Sequence, residues 1–355
     1  METIRKYYTF SLGFTAFCFV LAAWYGWSST GSITATLGIL WIVLVLSILE
    51  VSLSFDNAVV NATVLRDMDP VWQQRFLTIG ILIAVFGMRI LFPIAIVSIA
   101  AQVGPAEAIS LSLNNPSEYE RIVSDAHIGI AGFGGAFLAM VGLTFFFEED
   151  KEVHWIAVLE RTINKFSNVP AVEIGLVLCV VYGVSTLLPA EDALPFLTAA
   201  VLGLVTFIAV HAIAAIIEAR EAAKKAAGEI VKSGLGGFLY LEVLDASFSF
   251  DGVIGAFALS NNMIIIALGL SVGAMFVRSM TIHLVKTGTL AQYRYLEHGA
   301  FWAIIVLGII MLLSARWHIS ETITGLLGAV LIGLSFWWSV RHNRRHPEDA
   351  QLKAD

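Results

Sequence analysis

Two octapeptides place ionisable chemistry inside otherwise apolar sequence. Leu49-Glu50-Val51-Ser52-Leu53-Ser54-Phe55-Asp56 is echoed by Leu244-Asp245-Ala246-Ser247-Phe248-Ser249-Phe250-Asp251, with Asp245 standing where the first copy has Glu50. A charged carboxylate in hydrocarbon costs about 2.5–3.5 kcal/mol on insertion scales, so four of them in two matching frames point to a binding site. Glu50, Ser54 and Asn57 share one helical face at i, i+4 and i+7. Glu242, Asp245 and Ser249 do so at i, i+3 and i+7 and add a fifth carboxylate. Carboxylate, hydroxyl and amide oxygens are hard donors suited to Mn²⁺, Ca²⁺ or Mg²⁺, and no thiolate or imidazole adjoins the motifs to favour Zn²⁺ or Cu⁺. The expected metal ligands are therefore Glu50, Asp56, Asn57, Glu242, Asp245 and Asp251. Ser52, Ser54, Ser247, Ser249, Arg89, Arg278 and His283 are the expected supporting groups. Five carboxylates against Arg89 and Arg278 leave an excess of negative charge that a divalent cation would reduce. Crowded carboxylates cannot all ionise, so an empty site should hold protons and could exchange them for metal.

These residues have to be held in a membrane. The chain of 355 residues is 58% hydrophobic and only 14% charged, with a mean hydropathy of +0.81, against roughly 25% charged in soluble proteins. A formal charge of −7 with no basic block excludes a nucleic-acid partner of the usual kind. Cys18 and Cys179 each lie alone in apolar runs and read as buried hydrophobes. Arg5 and Lys6 precede the first apolar segment as in a signal peptide, but no small-x-small cleavage site follows, and Trp24, Tyr25 and Trp27 suit an interfacial belt; the segment reads as an uncleaved span. About ten spans are expected: 9–27, 34–60, 77–101, 128–147, 171–188, 195–217, 235–256, 263–285, 299–314 and 321–340. With the N-terminus inside, all but four of the 21 Lys and Arg residues fall on the cytoplasmic side; Arg121 and Arg316 lie outside, Arg89 and Arg278 within spans. This predicts a multi-pass membrane protein with both termini cytoplasmic.

The fold expected is all-α and polytopic, with the bilayer as its first partner. The motifs fall on the second and seventh spans and so cross the membrane in opposite directions, which makes the chain an inverted repeat. Gly80 and Arg89 on the third span have the spacing of Gly269 and Arg278 on the eighth, and His127 opens the fourth span as His298 opens the ninth. The expected divisions are a first half over 1–190, an inverted second half over 191–340 and a cytoplasmic tail over 341–355. Transporters built this way hold substrate near the midplane on interrupted helices. The second apolar run, 34–65, would be about 45 Å of helix against a core of roughly 30 Å, so a break is expected over 52–57. That break would also bring Glu50 and Asp56 together, since six residues of unbroken helix point them about 120° apart. Gly252 makes similar unwinding cheap in the second copy.

Other residues read as framework. His211 reads as a helix-bonding residue; His283, near Arg278, is the better functional candidate. Pro93 should kink the helix of Arg89, and Gly132, Gly134 and Gly135 suit close helix packing. The acidic stretch 102–126 reads as an external solvated face, 148–168 as an amphipathic surface helix, and 218–233 as a cytoplasmic helix joining the halves. The absence of a G-x-x-x-x-G-K-[ST] fingerprint leaves an ion gradient as the energy source. The absence of a Ser/His pair or H-E-x-x-H in the spans argues against an enzyme.

The stretch Glu50 to Ala62 (Glu-Val-Ser-Leu-Ser-Phe-Asp-Asn-Ala-Val-Val-Asn-Ala), its partner from Asp245 to Asp251 and Arg278 resemble the TerC-type membrane proteins, and more closely a bacterial branch labelled only as a domain of unknown function, within the LysE-like transporter superfamily. The resemblance covers about 35–340. It implies a metal-ion exporter with manganese the favoured substrate, and no prosthetic group. The acidic motif residues it carries over are Glu50, Asp56, Asp245 and Asp251, with Asn57; Gly252 departs from the asparagine the family pattern has after the second aspartate. The family is named for tellurium resistance, but tellurite is an anion and a carboxylate-lined site is electrostatically wrong for it, so any such phenotype should be indirect. A membrane scaffold or assembly factor for protein metalation or insertion, and an exporter of basic amino acids, are the alternative readings.

Overall fold

In hydrocarbon the backbone has only itself to hydrogen-bond with, and long apolar runs answer as helices. The computed structural model describes residues 5, 7–100, 102–147, 153–166, 169, 171–227, 233–257, 259–260, 262–317, 319 and 321–345, and these contain no strand. The helices are α1 (Thr9–Thr30), α2 (Ile33–Leu53), α3 (Phe55–Arg66), α4 (Pro70–Leu82), a π-helical stretch (Ile83–Leu91), α5 (Phe92–Ala100), α6 (Pro105–Asn114), α7 (Pro116–Asp125), α8 (His127–Phe147), α9 (Ala157–Asn164), α10 (Val172–Ser185), α11 (Ala190–Ala226), α12 (Leu235–Phe257), α13 (Met263–Lys286), α14 (Thr289–Gln292), α15 (Leu296–Ser314) and α16 (Glu321–Arg345). The protein is an all-α polytopic membrane protein. Among the described residues eight helices are long and apolar enough to cross a bilayer.

Every expected span falls on helix, with three differences of extent. The fifth, 171–188, yields only the 14 residues of α10, about 21 Å at 1.5 Å per residue. The seventh, 235–256, forms the 23-residue α12, whose acidic residues keep it outside the eight most apolar helices. The helix of the sixth, α11, runs 37 residues from Ala190 to Ala226 and takes in the expected cytoplasmic helix without a break, because the Glu-Ala-Arg-Glu-Ala-Ala-Lys-Lys-Ala run continues it with strong helix formers and no breaker. The linker is thus an extension of the span as far as Ala226, and 228–232 lie outside the described residues. The acidic stretch 102–126 is largely two short helices, each opened by proline at its first turn. There Arg121 pairs with Glu118 at 2.6 Å and Asp125 at 2.9 Å, which offsets part of the expected negative field.

The helices form two compact units. One comprises Met1–Ser54, Gln74–His127 and Phe248–His283. Within it α1 turns into α2 through Gly31, whose left-handed backbone (φ +60°) lets its N–H reach the Trp27 carbonyl at 2.9 Å. Ser11 Oγ donates to the Met275 carbonyl at 3.2 Å and Ser47 Oγ to the Gly269 carbonyl at 3.1 Å, tying α1 and α2 to α13. The other unit comprises Phe55–Gln73, Ile128–Ser247 and Leu284–Asp355. Its α8 packs closely on two helices through the expected glycines: a Cβ at Gly132 would lie 2.7 Å from the Phe196 carbonyl oxygen on α11, and one at Gly135 2.9 Å from the Gly308 carbonyl oxygen on α15. α3 lies against α15 and α16.

The amphipathic segment at α9 is anchored by a buried acid. Glu160, 2% exposed, accepts the Trp155 and Ile156 backbone N–H groups at 2.8 and 3.1 Å and the Trp302 indole N–H at 3.0 Å. His298 Nδ1 lies 3.2 Å and His154 Nδ1 3.7 Å from its Oε2. Burial alone would raise the Glu160 pKa, but the bonds from His298, Trp302 and Ile156 outweigh it and bring it down from 4.5 to about 2. A depressed folded-state pKa stabilises the fold above the unfolded value and loses that contribution as pH falls. Glu160→Gln should therefore destabilise the detergent-solubilised protein by about 1–3 kcal/mol near neutral pH. The gap between wild type and variant in thermal unfolding should close between about pH 4.5 and about pH 2; a gap that does not vary with pH would show that the carboxylate charge is not the anchor.

Candidate functional site

The first motif breaks its helix, as the length of its apolar run demands. α2 ends at Leu53, Ser54 leaves helical geometry (φ −105°, ψ 18°) with its N–H on the Glu50 carbonyl at 3.0 Å, and α3 begins at Phe55. Serine hydroxyls compete with the backbone here. Ser52 Oγ, exposed, donates to the Ile48 carbonyl at 2.8 Å, and Ser54 Oγ lies 3.4 Å from Glu50 Oε1.

In the first unit Glu50 is buried and paired. Arg89 donates through Nη2 to Glu50 Oε1 and through Nη1 to Ser249 Oγ, with all three side chains buried. Arg89 sits in the π-helical stretch Ile83–Leu91, where Pro93 supplies no N–H for the Arg89 carbonyl and the Phe92 N–H reaches back to the Gly87 carbonyl. Two glycines admit the glutamate. A Cβ at Gly252 would lie 2.8 Å from Glu50 Oε2, and one at Gly273 would collide with the Glu50 Cβ and Cγ. Gly252 does not unwind its helix: α12 is continuous through it, so the expected second interruption is absent and the missing side chain serves close approach instead. Arg278, also buried, donates to the Phe76 carbonyl at 3.1 Å and lies 3.9 Å over the Phe76 ring. His283 Nδ1 lies 3.2 Å from the Tyr8 hydroxyl, and its ring stacks on Tyr7 at 4.9 Å.

The second unit holds the oxygen-rich group. Asp56 and Asn57 are buried in the first turn of α3, where the helix dipole favours an acid, and Asp56 Oδ1 accepts the Asn57 backbone N–H at 2.9 Å. One turn on, Asn61 Nδ2 donates to Asp245 Oδ1 of α12 at 2.7 Å. Asn57 is 7% and Asn61 2% exposed, and neither amide oxygen has a hydrogen-bond donor among the described residues. Gly328 of α16 lies beside Asp56, where a Cβ would make ordinary contact at 3.7 Å from Oδ2. Glu242 is buried on α12, and Ser247 Oγ returns to the Val243 carbonyl at 3.1 Å. The side chain of Asp251, the remaining expected ligand, lies outside the described ones. Among the described residues no three His, Cys, Asp or Glu side chains are arranged to hold a metal ion.

A cavity of about 410 Å³ lies in this same unit, lined among others by Thr63, Arg66 and Asp67 at the end of α3, Glu218 of α11, Tyr240 of α12 and Glu297 of α15. Arg66 pairs with Glu297 at 2.6 Å across its wall. Thr63 follows Asn61 by two residues and Tyr240 precedes Asp245 by five, so the cavity stands within about 8 Å, measured along the two helix axes, of the Asn61–Asp245 bond. Sequence reasoning placed Asp56, Asn57 and Asp245 among the ligands but passed over Asn61, although its i+4 spacing from Asn57 put both amides on one face. Glu160 with His298, and Arg66 with Glu297, join residues too far apart in sequence for spacing to reveal.

The family described as "Protein of unknown function (DUF475)" matches residues 55–346, which takes in Asp56, Asn57 and the whole second motif and leaves Glu50 to Ser54 just outside. No curated protein and no solved structure matches the chain.

Removing one partner of a buried ion pair strands the other charge. Arg89→Gln should cost about 3–5 kcal/mol. Adding Glu50→Gln should restore part of that loss, because the stranded carboxylate is then gone. Chemical unfolding of the two variants in detergent checks this; a double variant less stable than the single one would show that the two side chains act independently.

Proposed function

We propose that this chain, which belongs to the family described as a protein of unknown function (DUF475), is a secondary transporter that exports a divalent cation, Mn²⁺ foremost, in exchange for protons. One observation carries the reading. Asn57 and Asn61 present two buried amide oxygens, one turn apart on α3, that find no donor among the described residues, beside the carboxylates of Asp56 and Asp245. A buried acceptor without a donor costs about 1–3 kcal/mol, so two of them one turn apart on one helix call for a common partner. A hard cation satisfies such oxygens and the neighbouring carboxylates at once. Amide and carboxylate oxygens without sulfur or imidazole suit Mn²⁺, Mg²⁺ and Ca²⁺, and the resemblance to the TerC-type proteins favours manganese and export among these.

Each group then has a role. Asp56 and Asp245 supply the charge that attracts the ion and take up protons when it leaves. Asn57 and Asn61 supply neutral oxygen, so the site does not accumulate more negative charge than one dication offsets. Asp245 exchanges its bond from Asn61 for the ion, which frees the amide to turn its oxygen inward. The cavity of about 410 Å³ would hold on the order of a dozen waters at roughly 30 Å³ each, room for a hydrated dication to approach along α3 and α12. In the topology read from the basic residues this cavity opens to the cytoplasm, the side from which an exporter loads. The inverted repeat would supply the second, outward-facing state.

The test is flux into proteoliposomes of the purified protein, with Mn²⁺, Ca²⁺ and Mg²⁺ in parallel and a pH dye inside. Wild type should move Mn²⁺ with opposing proton movement, and Asp56→Asn should abolish both. Asn57→Ala should raise the KM for Mn²⁺ about tenfold, the loss of about 1.4 kcal/mol of binding, with a smaller change in kcat. Absence of flux of every cation from folded wild-type protein would favour the scaffold reading instead.

A further inference from the structure

The last helix carries a second site of opposite charge. Trp338, Arg341, His342 and Arg345 fall at i, i+3, i+4 and i+7 of α16 and therefore share one face. Together with Tyr295, from the turn before α15, they line a cavity of about 390 Å³. Its two walls are pinned to each other. The Tyr295 backbone N–H donates to Ser339 Oγ at 2.9 Å, Asn343 Nδ2 donates to the Gln292 carbonyl at 2.8 Å, and the His342 ring meets the Tyr295 ring edge-on at 5.8 Å. Ser339 is fully buried, so the hollow is held by packed structure.

The depth of this hollow is marked by its neighbours. Trp337 and Trp338 pack edge to face at 5.2 Å and remain 51% and 46% exposed, and Arg341 lies 5.5 Å over the Trp337 ring. Half-exposed tryptophans at the end of an apolar helix belong at the headgroup level of a bilayer. One and two turns before Trp338 on the same face of the helix, Leu334 and Val330 are exposed apolar side chains suited to acyl chains. Among the described residues no carboxylate pairs with Arg341 or Arg345. The helix dipole at this C-terminal end opposes an anion, so recognition has to come from the guanidinium groups, which match phosphate oxygens in fixed, bidentate geometry.

We propose that the cavity formed by Tyr295, Trp338, Arg341, His342 and Arg345 binds the phosphate headgroup of an anionic membrane lipid. The two guanidinium groups grip the phosphodiester, Trp338 and the Tyr295 ring flank the glycerol, and the acyl chains descend along the apolar face of α16. Phosphate chemistry is shared with soluble phosphate; continuity from the arginines through the tryptophans to the lipid-facing side chains selects the lipid.

The experiment uses the purified full-length protein in detergent, titrated with phosphatidylglycerol, phosphatidylcholine or inorganic phosphate, with bound lipid counted by native mass spectrometry. Phosphatidylglycerol should bind saturably and phosphatidylcholine much more weakly. At about 1 kcal/mol per arginine near a headgroup, Arg341→Gln with Arg345→Gln should weaken phosphatidylglycerol roughly 30-fold. The paired lysine variant, which keeps the charge but loses the fork, should fall between. Arg344→Gln, one residue off the face, should change binding less than threefold. Equal weakening by Arg344→Gln would reduce the site to general surface charge and overturn the proposal. So would displacement of the lipid by millimolar inorganic phosphate, or equal binding of the two lipids. Unchanged melting temperatures of the variants keep each result interpretable.

Discussion

Hydrocarbon offers no water to a polar group whose protein partner is missing, and that constraint governs what this chain does with its buried polar residues. Most of them are answered locally. Ser47, Ser247 and Thr281 return their hydroxyls to helix carbonyls of the preceding turn, and Gln73 donates to the carbonyls of Leu65 and Met68 where the chain turns between α3 and α4. The amide oxygens of Asn57 and Asn61 are among the buried atoms that the described protein groups leave unanswered, and they lie one turn apart on the same helix. A residue such as Leu or Ala would fill either position without that cost. Their retention beside Asp56 and Asp245 is the physical basis for assigning them a ligand.

The two halves of the first motif divide the work. Glu50 is neutralised by Arg89, closed in by Gly252 and Gly273, and linked through Arg89 to Ser249. Glu50 thus lies in a buried ion pair through its Oε1. Asp56, among the described residues, is met by the backbone N–H of Asn57, by its own N–H and by the dipole of α3. Ser54 separates them, ending one helix and starting the next. The excess of acids over arginines counted in the motifs is therefore not met evenly along the first motif: Arg89 is committed to Glu50, and Asp56 lies apart from that pair in the first turn of α3.

The helical class, the positions of the spans and the break near Ser54 were legible because each follows from local sequence: apolar runs set helices, a run longer than the bilayer forces an interruption, and serines mark where it falls. Partner choice was not. That Arg89 meets Glu50, that Asn61 meets Asp245 and that Glu160 receives Trp302 and His298 are pairings across long sequence separations, which no periodicity encodes. What local sequence did not reveal about α11 is that the expected span and the expected cytoplasmic helix after it are one: the Ala-rich run beyond Ile217 has no breaker and continues the same helix.

The two motif copies have the same pattern but not the same backbone, and the reason lies in the residue after each final aspartate. Asn57 follows Asp56 at a helix start, where its side chain and N–H are both available. Gly252 follows Asp251 in the interior of an unbroken helix, where glycine would ordinarily be a weakness of about 1 kcal/mol relative to alanine. That cost is tolerated because a Cβ at Gly252 would press on the Glu50 carboxylate. The departure from the asparagine of the first copy is thus explained by what the second copy has to accommodate. The first motif supplies a helix N-terminus whose neighbouring amide oxygen no described donor answers, and the second supplies the close-packed surface that receives the Glu50–Arg89 pair.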